Sequence, residues 1–248
     1  MDIIRYKETD STNLRAKEAG NEGVSQDTLF IADKQTAGVG RRGRSWESPE
    51  GENIYMSLLI KPEIEPSKAS MLTLVMAAAV AESIRKVCDA DVQIKWPNDI
   101  ILNKKKVCGI LTEMSMTGSE IKYVVIGVGI NVNQMTFNTE LEDKATSLSL
   151  EFSRRFDRET IISSVLEEFY KYYDGFLCAG DLSYLQETYN QMLVNRNEDV
   201  VIHEPGNEYS ARAMGINAQG ELIVETPDGE VQNIYAGEVS VRGIYGYV

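Results

Sequence analysis

The stretch "DVQIKWPNDIILNKKKVCGILTEMS" (residues 91–115) carries the strongest local signal of a β-sheet in this chain. It predicts a short strand, a turn at the proline, and then a β-hairpin whose tip is "NKKK". The next stretch, "EIKYVVIGVGINVN" (residues 120–133), is apolar over most of its length and predicts a buried strand. Together the two stretches indicate a chain that is organised around a β-sheet.

The segments on either side extend this sheet and cover it. Residues 67–87 are apolar nearly all round, which predicts a helix buried against the sheet with Ser67 as its cap. Residues 157–177 carry apolar side chains at spacings of three and four after the cap residue Asp157, which predicts an amphipathic helix. Further strands are predicted at residues 3–9, 28–34 and 53–62, a helix at residues 10–20 that stops at Gly20, and a shorter helix at residues 181–194.

The pattern changes after about residue 194. Short alternating runs are separated by the turn sequences "EPGN", "NAQG" and "TPDG", with a turn signal about every ten residues and no helical periodicity. This predicts a small β-barrel. We therefore expect two domains: residues 1–193, an α/β domain with a mixed sheet, and residues 194–248, a C-terminal barrel.

Composition and charge exclude several classes of protein. The 248 residues are 43% hydrophobic, enough for one sizeable core and a smaller unit, but no apolar run is long enough to cross a bilayer. The formal net charge of −13 argues against nonspecific binding of nucleic acid. Three distant cysteines, Cys88, Cys108 and Cys178, form no disulfide framework, which together with the lack of a signal peptide indicates the cytoplasm. The only histidine, His203, lies where a strand runs into a turn, so chemistry must come from other residue types.

A glycine- and arginine-rich loop stands out in this acidic chain, "QTAGVGRRGRSW" (residues 35–46). Glycines allow left-handed backbone and close approach to a ligand, and guanidinium groups match carboxylate and phosphate oxygens. The loop lacks the ending of a Walker motif and the helix of a dinucleotide fingerprint. Anion binding is therefore one interpretation, and a solvated basic turn is the other. The residues concerned are Gly38, Gly40, Gly43, Arg41, Arg42 and Arg44.

Three more clusters carry polar groups beside apolar strands. Each has an ordinary structural explanation as well: a soluble hairpin tip, a helix N-terminus and a turn. On their local sequence alone, these structural explanations are favoured over ligand binding. The clusters are Lys95, Asn98, Asp99 and Lys106 around the hairpin, "DSTN" at residues 10–13, and Asn131 with Asn133 at the end of a strand.

The order of these motifs resembles the biotin–protein ligases, from about residue 7 to the C-terminus. The matching stretches are "DSTN", "QTAGVGRRGRSW", "KWPNDI", "KKVCGILTE", "VVIGVGINVN" and "GEVSVRG". The resemblance implies an α/β catalytic domain with a mixed sheet and a C-terminal SH3-like barrel. It implies an ATP-dependent ligase that activates biotin as biotinyl-5'-adenylate, with Mg²⁺ accompanying ATP. The biotin then passes to a lysine of a biotin carboxyl carrier protein or domain.

The resemblance also implies a role for individual residues. Arg41 and Lys106 match the groups that neutralise charge between the two substrates, and Asp99 matches the acid that accepts the proton of the carrier lysine. The positions that match biotin-binding residues are Ser11, Thr12, Asn13, Gln35, Gly38, Val39, Gly40, Arg41, Lys106 and Gly109. Those that match nucleotide-binding residues are Arg41, Arg44, Trp46, Lys95, Asn98, Asn131 and Arg242.

Two features differ from other members of that family. Many members have arginine at the position of Val39, so we expect weaker retention of the adenylate here. Some members carry an N-terminal DNA-binding domain, whereas the first predicted strand begins close to Met1. We therefore expect a ligase without repressor function and without DNA as a partner. The family contains both dimers and monomers, so a homodimer stays open.

Two other functions are compatible with parts of the pattern. Lipoate and octanoate ligases share the superfamily and the lysine, but Gln35, the arginine loop and "KWPND" favour biotin. A sensor that binds an adenylate without turnover is a second alternative, and it would not need the proton acceptor Asp99.

The arginine loop is expected to close over the reactive adenylate and exclude water. Biotin and ATP together should therefore slow tryptic cleavage after Arg41, Arg42 and Arg44, relative to cleavage at lysines elsewhere in the chain. Limited proteolysis followed by mass spectrometry measures this. Equal cleavage rates with and without the two ligands would contradict the closure.

Overall fold

A computed structural model describes residues 1–204, 206–235 and 240–243, with the backbone alone for residues 204 and 240–243. The first seven strands are β1 (Asp2–Thr9), β2 (Thr28–Gln35), β3 (Ile54–Ile60), β4 (Gln93–Lys95), β5 (Asp99–Leu102), β6 (Lys105–Thr117) and β7 (Glu120–Ile130). The helices are α1 (Thr12–Glu22), α2 (Met71–Cys88), α3 (Leu148–Phe152), α4 (Arg158–Ala179) and α5 (Gln186–Met192). The C-terminal strands are β8 (Asp199–Glu204), β9 (Asn207–Ile216), β10 (Leu222–Glu225), β11 (Val231–Ile234) and β12 (Ser240–Gly243).

The first seven strands form one mixed sheet in the order β1-β2-β3-β7-β6-β5-β4. Strands β1 and β2 are parallel, and the other neighbours are antiparallel. The expected α/β fold with a mixed sheet is therefore confirmed. The predicted hairpin with the tip "NKKK" is β5–β6, in which Asn103 and Lys104 take the positive φ values of a tight turn.

The two faces of this sheet carry different side chains, because successive side chains along each strand point to opposite faces. On one face, α2 lies on the strands, α4 packs against α2, and a continuous apolar core includes Met56, Leu58, Ile126 and Val128. On the other face, the helix α1 covers a much smaller apolar cluster. This second face is therefore free to carry polar side chains and a pocket.

Two helix boundaries show which local residues determine where a helix begins. Asp157 caps α4 as predicted, because its carboxylate accepts a hydrogen bond from the Thr160 backbone N–H at 2.9 Å. The prediction that Ser67 caps the buried helix is wrong. Pro66 starts a separate 3₁₀ turn, Pro66–Lys68, which contains Ser67, so the cap position of α2 falls at Ser70.

The prediction that Gly20 ends the first helix is also wrong. The helix α1 continues to Glu22, and Gly23, with φ of 93°, forms the cap. Gly20 is needed for packing instead, since a Cβ there would lie 2.6 Å from the ring of Tyr123.

The C-terminal segment forms a small antiparallel sheet in the order β11-β10-β9-β8-β12 among the described residues. It packs against the β4 edge of the first sheet and against α5. The Trp96 indole N–H donates to the Gly220 carbonyl at 3.0 Å, and the Ile216 N–H donates to the Asn190 side chain at 2.7 Å. Within the described ranges, none of the helices combines the length and apolar character that a membrane span requires.

The face covered by α2 and α4 should carry most of the stability. Phe169 of α4 is fully buried and stacks on Tyr173 with ring centroids 5.4 Å apart. Phe169→Ala should lower the free energy of unfolding by about 3–5 kcal/mol, because it removes buried area and leaves a cavity. Urea denaturation measures the loss.

Leu177→Ala on the same helix is the matched control, since Leu177 is 43% exposed. It should change the free energy of unfolding by about 0.5 kcal/mol or less. Similar losses in the two variants would contradict this assignment of the core.

Candidate active site

A one-residue bulge decides which face of the sheet carries Lys106. In the β5–β6 ladder, Ile100 pairs with Cys108 and Ile101 pairs with Lys106, so Val107 is an extra residue. Residues three apart in a regular strand point to opposite faces, but the bulge brings Lys106 to the same face as Gly109. A Cβ at Gly109 would lie only 2.9 Å from the Lys106 ammonium nitrogen.

Glycines form the floor on which this lysine lies. Gly109 of β6 and Gly129 of β7 are direct cross-strand partners. Their row continues through Tyr55 on one side and Asp99 on the other. Because two adjacent positions of the row lack side chains, a trough runs across the α1 face of the sheet.

Trp46 lies in this trough. Its indole would clash with a Cβ at Gly129 at 2.6 Å, and the Lys106 ammonium is 5.3 Å from the centre of its ring. The indole nitrogen Nε1 is buried and has no hydrogen-bond partner among the described residues. A buried donor without a partner costs about 1–3 kcal/mol, so an acceptor atom of a ligand would be favoured here.

The arginine loop folds back on itself at one end of the trough. The Gly40 N–H donates to the Arg44 carbonyl at 2.7 Å and the Trp46 N–H to the Gly38 carbonyl at 2.9 Å. Of the three predicted loop glycines, only Gly43 has a positive φ, 71°. Gly38 is needed for close approach, since a Cβ there would lie 2.6 Å from the Trp46 carbonyl oxygen.

Two cations and one carboxylate meet where the loop reaches the hairpin. The Lys106 ammonium forms an ion pair with Asp99 at 2.6 Å, and the Arg41 guanidinium donates to the Asn98 side chain at 2.9 Å. Burial of its guanidinium lowers the pKa of Arg41, and the negative charge of Asp99 acts in the opposite direction. The desolvation of Arg41 would be compensated further by an anion bound beside it.

The other end of the trough is polar and uncharged. The Thr12 N–H donates to Gln35 Oε1 at 2.8 Å, and Gln35 Nε2 donates to the Ser48 hydroxyl at 3.1 Å. Ser57, fully buried on β3, lies within hydrogen-bond distance of both Thr12 and Asn13. These groups stand at the N-terminus of α1, where Ser11 occupies the cap position without a side-chain cap hydrogen bond.

Together these parts line one pocket, whose volume is about 450 Å³ when its solvent-open part is included. It brings together most of the residues that the sequence predicted. Those that line it are Ser11, Thr12, Asn13, Gln35, Val39, Gly40, Arg41, Trp46, Asn98, Lys106 and Gly109. Asp99 adjoins the pocket through its ion pair with Lys106.

Other predicted residues do not line this pocket. Gly38, within the loop, packs against the Trp46 carbonyl and the side chains of Gln35 and Ser48, and the Arg44 side chain is exposed. Lys95 is buried on β4, in register with Asp99. Asn131 is buried and its amide donates to the Thr146 carbonyl at 3.0 Å. Arg242 is described only by its backbone in β12, so its side chain lies outside the described residues.

The sequence analysis missed part of the lining. The missed residues are Tyr55, Met56, Ile110, Leu111, Gly127, Val128 and Gly129. The alternation "GVG" in "VVIGVGINVN" was a usable signal, because glycines at every second position leave one face of a strand bare.

The backbone of Lys106 is held from outside the hairpin. Its N–H donates to the Lys144 carbonyl at 2.8 Å, and its carbonyl accepts from the Thr146 N–H at 2.9 Å. The segment between β7 and α3 thus clamps the bulge and holds the lysine toward the trough.

Metal ligands are not clustered in the part of the chain that is described. No three or more His, Cys, Asp or Glu side chains come together there in a way that could hold a metal ion.

Sequence comparison with known proteins places the same residues in a family of ligases. Residues 6–131 match the biotin/lipoate A/B protein ligase family, and residues 197–242 match the biotin protein ligase C-terminal domain. The bifunctional ligase/repressor BirA of Bacillus subtilis is 37% identical, over 96% of this chain and 74% of that protein. The biotin–[acetyl-CoA-carboxylase] ligase of Paracoccus denitrificans is 31% identical, over 95% of this chain and 98% of that protein.

A solved structure extends the comparison to the fold. The biotin protein ligase from Aquifex aeolicus, in complex with biotin and ATP, superposes with a TM-score of 0.85 at 29% identity. The match covers 98% of this chain and 99% of the other. The resemblance stated from the motifs is thereby confirmed, and the chain belongs to the biotin/lipoate A/B protein ligase family.

Proposed function

We propose that this protein is a biotin–protein ligase, which activates biotin with ATP and transfers it to a lysine of a carrier protein. The observation that carries the proposal is a single trough with two unlike ends. The uncharged polar groups of Thr12 and Gln35 at one end suit the ureido ring of biotin. The cations Arg41 and Lys106 at the other end suit its carboxylate and the α-phosphate of ATP.

The first step joins two anions. A biotin carboxylate oxygen attacks the α-phosphorus of ATP, a P–O bond to the β-phosphate breaks, and pyrophosphate leaves. Two like charges ~4 Å apart repel by roughly 4 kcal/mol at an effective dielectric near 20. Arg41 and Lys106 offset this repulsion because both cations line the same end of the trough. The missing side chain at Gly109 lets Lys106 and Trp46 lie directly on the trough floor.

The second step moves the acyl group. The neutral amine of the carrier lysine attacks the acyl carbon, the acyl–phosphate bond breaks and AMP leaves. The attacking amine must lose a proton, because a free lysine is almost fully protonated at neutral pH. Asp99 lies 2.6 Å from Lys106 and is therefore beside the group that holds the acyl phosphate. We assign it the role of proton acceptor.

Trp46 is the group most suited to contact the nucleotide. Its ring offers an aromatic face, and its buried Nε1–H is available for a ligand acceptor. Asn98 supports Arg41 directly. Nucleotide-binding roles for Arg44, Lys95, Asn131 and Arg242 remain part of the proposal. Mg²⁺ accompanies the triphosphate as part of the substrate.

The carrier, the domain division and the location in the cell complete the proposal. Family membership implies a biotin carboxyl carrier protein as the acceptor. We propose residues 1–193 as the catalytic domain and residues 194–248 as the C-terminal domain. A cytoplasmic location is proposed from the three separated cysteines.

Lys106 provides the direct test of the first step. Lys106→Ala should reduce biotin-dependent exchange of labelled pyrophosphate into ATP by on the order of 10²–10³-fold, since one preorganised donor is worth about that much. Lys104→Asn is the control, because Lys104 is exposed at a positive φ that asparagine tolerates.

The wild-type assay also separates the competing functions. Exchange that depends on lipoate rather than biotin would overturn biotin as the assigned substrate. Tight biotin binding without any exchange would favour the sensor. Equal exchange in Lys106→Ala and Lys104→Asn would overturn the role of Lys106.

Asp99 provides the test of the second step. Asp99→Asn should slow transfer to a carrier domain by on the order of 10²–10⁴-fold, the usual contribution of a general base. Pyrophosphate exchange should fall much less, because the first step needs no proton acceptor. Asp91→Asn, an exposed change of the same kind, should leave both rates unchanged. An equal fall in exchange and transfer would show that Asp99 acts only by holding Lys106.

A further inference from the structure

A chain of hydrogen bonds leads from the polar end of the trough to a charged pair outside it. Glu113 of β6 accepts from the Asn13 amide nitrogen at 2.9 Å with one carboxylate oxygen. Its other oxygen accepts from the Lys17 ammonium at 2.8 Å. Neither Glu113 nor Lys17 lines the pocket, and both side chains are about one third exposed.

The position of the Asn13 side chain is tightly constrained. It is buried over Gly127, where a Cβ would come within 2.0 Å of Asn13 Oδ1. The only remaining choice for the Asn13 amide is whether its oxygen or its nitrogen faces Glu113. An ionised carboxylate can only accept hydrogen bonds, so the amide NH₂ must face Glu113 and the carbonyl oxygen must face Ser57.

This orientation determines the direction of the next hydrogen bonds. Ser57 Oγ lies 2.6 Å from Asn13 Oδ1 and 2.7 Å from Thr12 Oγ1. Because Asn13 Oδ1 has no proton, the Ser57 hydroxyl must donate to it. The hydroxyl proton of Thr12 is then directed inward, either to Ser57 Oγ or to Gln35 Oε1 at 3.2 Å. Thr12 thus presents a lone pair, not a proton, to the trough.

We propose that Glu113 is a positioning residue that sets Thr12 as a hydrogen-bond acceptor and thereby selects ligands whose head group carries N–H donors. The inference rests on the proposed function and deepens it. The ureido ring of biotin carries such N–H groups, whereas the dithiolane ring of lipoate carries none. Within a family that serves both acyl groups, the charge on Glu113 favours biotin.

An isosteric substitution of Glu113 reverses the direction of these hydrogen bonds. In Glu113→Gln, Lys17 can only donate, so it takes the oxygen of the new amide and leaves the NH₂ facing Asn13. Asn13 must then turn its oxygen outward. Its NH₂ faces Ser57 and Ser57 donates to Thr12, while the Thr12 proton stays on Gln35 Oε1. One acceptor lone pair of Thr12 is then used within the protein and is lost to a ureido N–H.

The test is steady-state pyrophosphate exchange with biotin and with 5-(tetrahydrothiophen-2-yl)pentanoate, which resembles biotin without the urea. Glu113→Gln should raise the KM for biotin by on the order of 10-fold, the effect of about one lost hydrogen bond, and leave kcat nearly unchanged. The KM for the urea-free analogue should not change. Glu120→Gln, an exposed change on β7, is the matched control and should leave both KM values unchanged.

A second variant keeps the test independent of folding. Asn13→Asp combined with Glu113→Gln exchanges the two functional groups, so the residue at position 13 again accepts from Ser57. This double variant should recover most of the biotin KM. An unchanged biotin KM in Glu113→Gln, equal rises for both acids, or no recovery in the double variant would each overturn the inference.

The outcome is separable from that for the proposed function. If the wild-type protein shows no biotin-dependent exchange, the proposed function fails. If the wild-type protein exchanges and Glu113→Gln matches it in biotin KM, only the role of Glu113 fails.

Discussion

The single extra residue in the β5–β6 ladder is the constraint on which the site depends. Without the bulge at Val107, the strand period of two would turn Lys106 into the apolar core beneath α2. With it, Val107 and Cys108 are buried while Lys106 faces the trough. The bulge is held in place because the Lys106 N–H donates to the Lys144 carbonyl and the Lys106 carbonyl accepts from the Thr146 N–H. Position, not residue type alone, makes this lysine different from its two neighbours in "NKKK".

The sheet separates stability from function. The face under α2 and α4 buries most of the apolar core, so the opposite face does not need large side chains for stability. Glycines at positions 109, 127 and 129 use that freedom to bring Trp46, Lys106 and Asn13 down onto the strands. Each glycine weakens its strand slightly, but each also removes a Cβ that would block the trough.

An acidic protein carries its cations where an anion must be bound. The net charge of −13 is spread over the chain, while Arg41 and Lys106 converge on one end of the trough. Arg41 is partly desolvated, and its burial lowers its pKa despite Asp99 nearby. Such a cation gains more from an arriving carboxylate or phosphate than a solvated one does. This is the physical reason for a basic loop in an acidic chain.

Sequence patterns were sufficient to predict the fold class, most strands and helices, and the family. Hydrophobic periodicity predicts α2, α4 and β7, and the Asp157 cap is local, so these predictions did not need distant contacts. The order of short motifs was enough to indicate the ligase chemistry. Tertiary structure decided the rest. It moved two helix ends, because Gly20 packs on Tyr123 and Ser67 sits in a proline-started turn.

Tertiary structure also assembled the site itself. The roles of Ser57, Gly127 and Glu113 could not be assigned from the sequence, since they depend on strand register and on residues more than forty positions away. A bulge leaves no clear trace in a pattern of apolar residues, so the face of Lys106 could not be read from it. Local patterns record which element forms, whereas the pairing of strands decides which side chains meet.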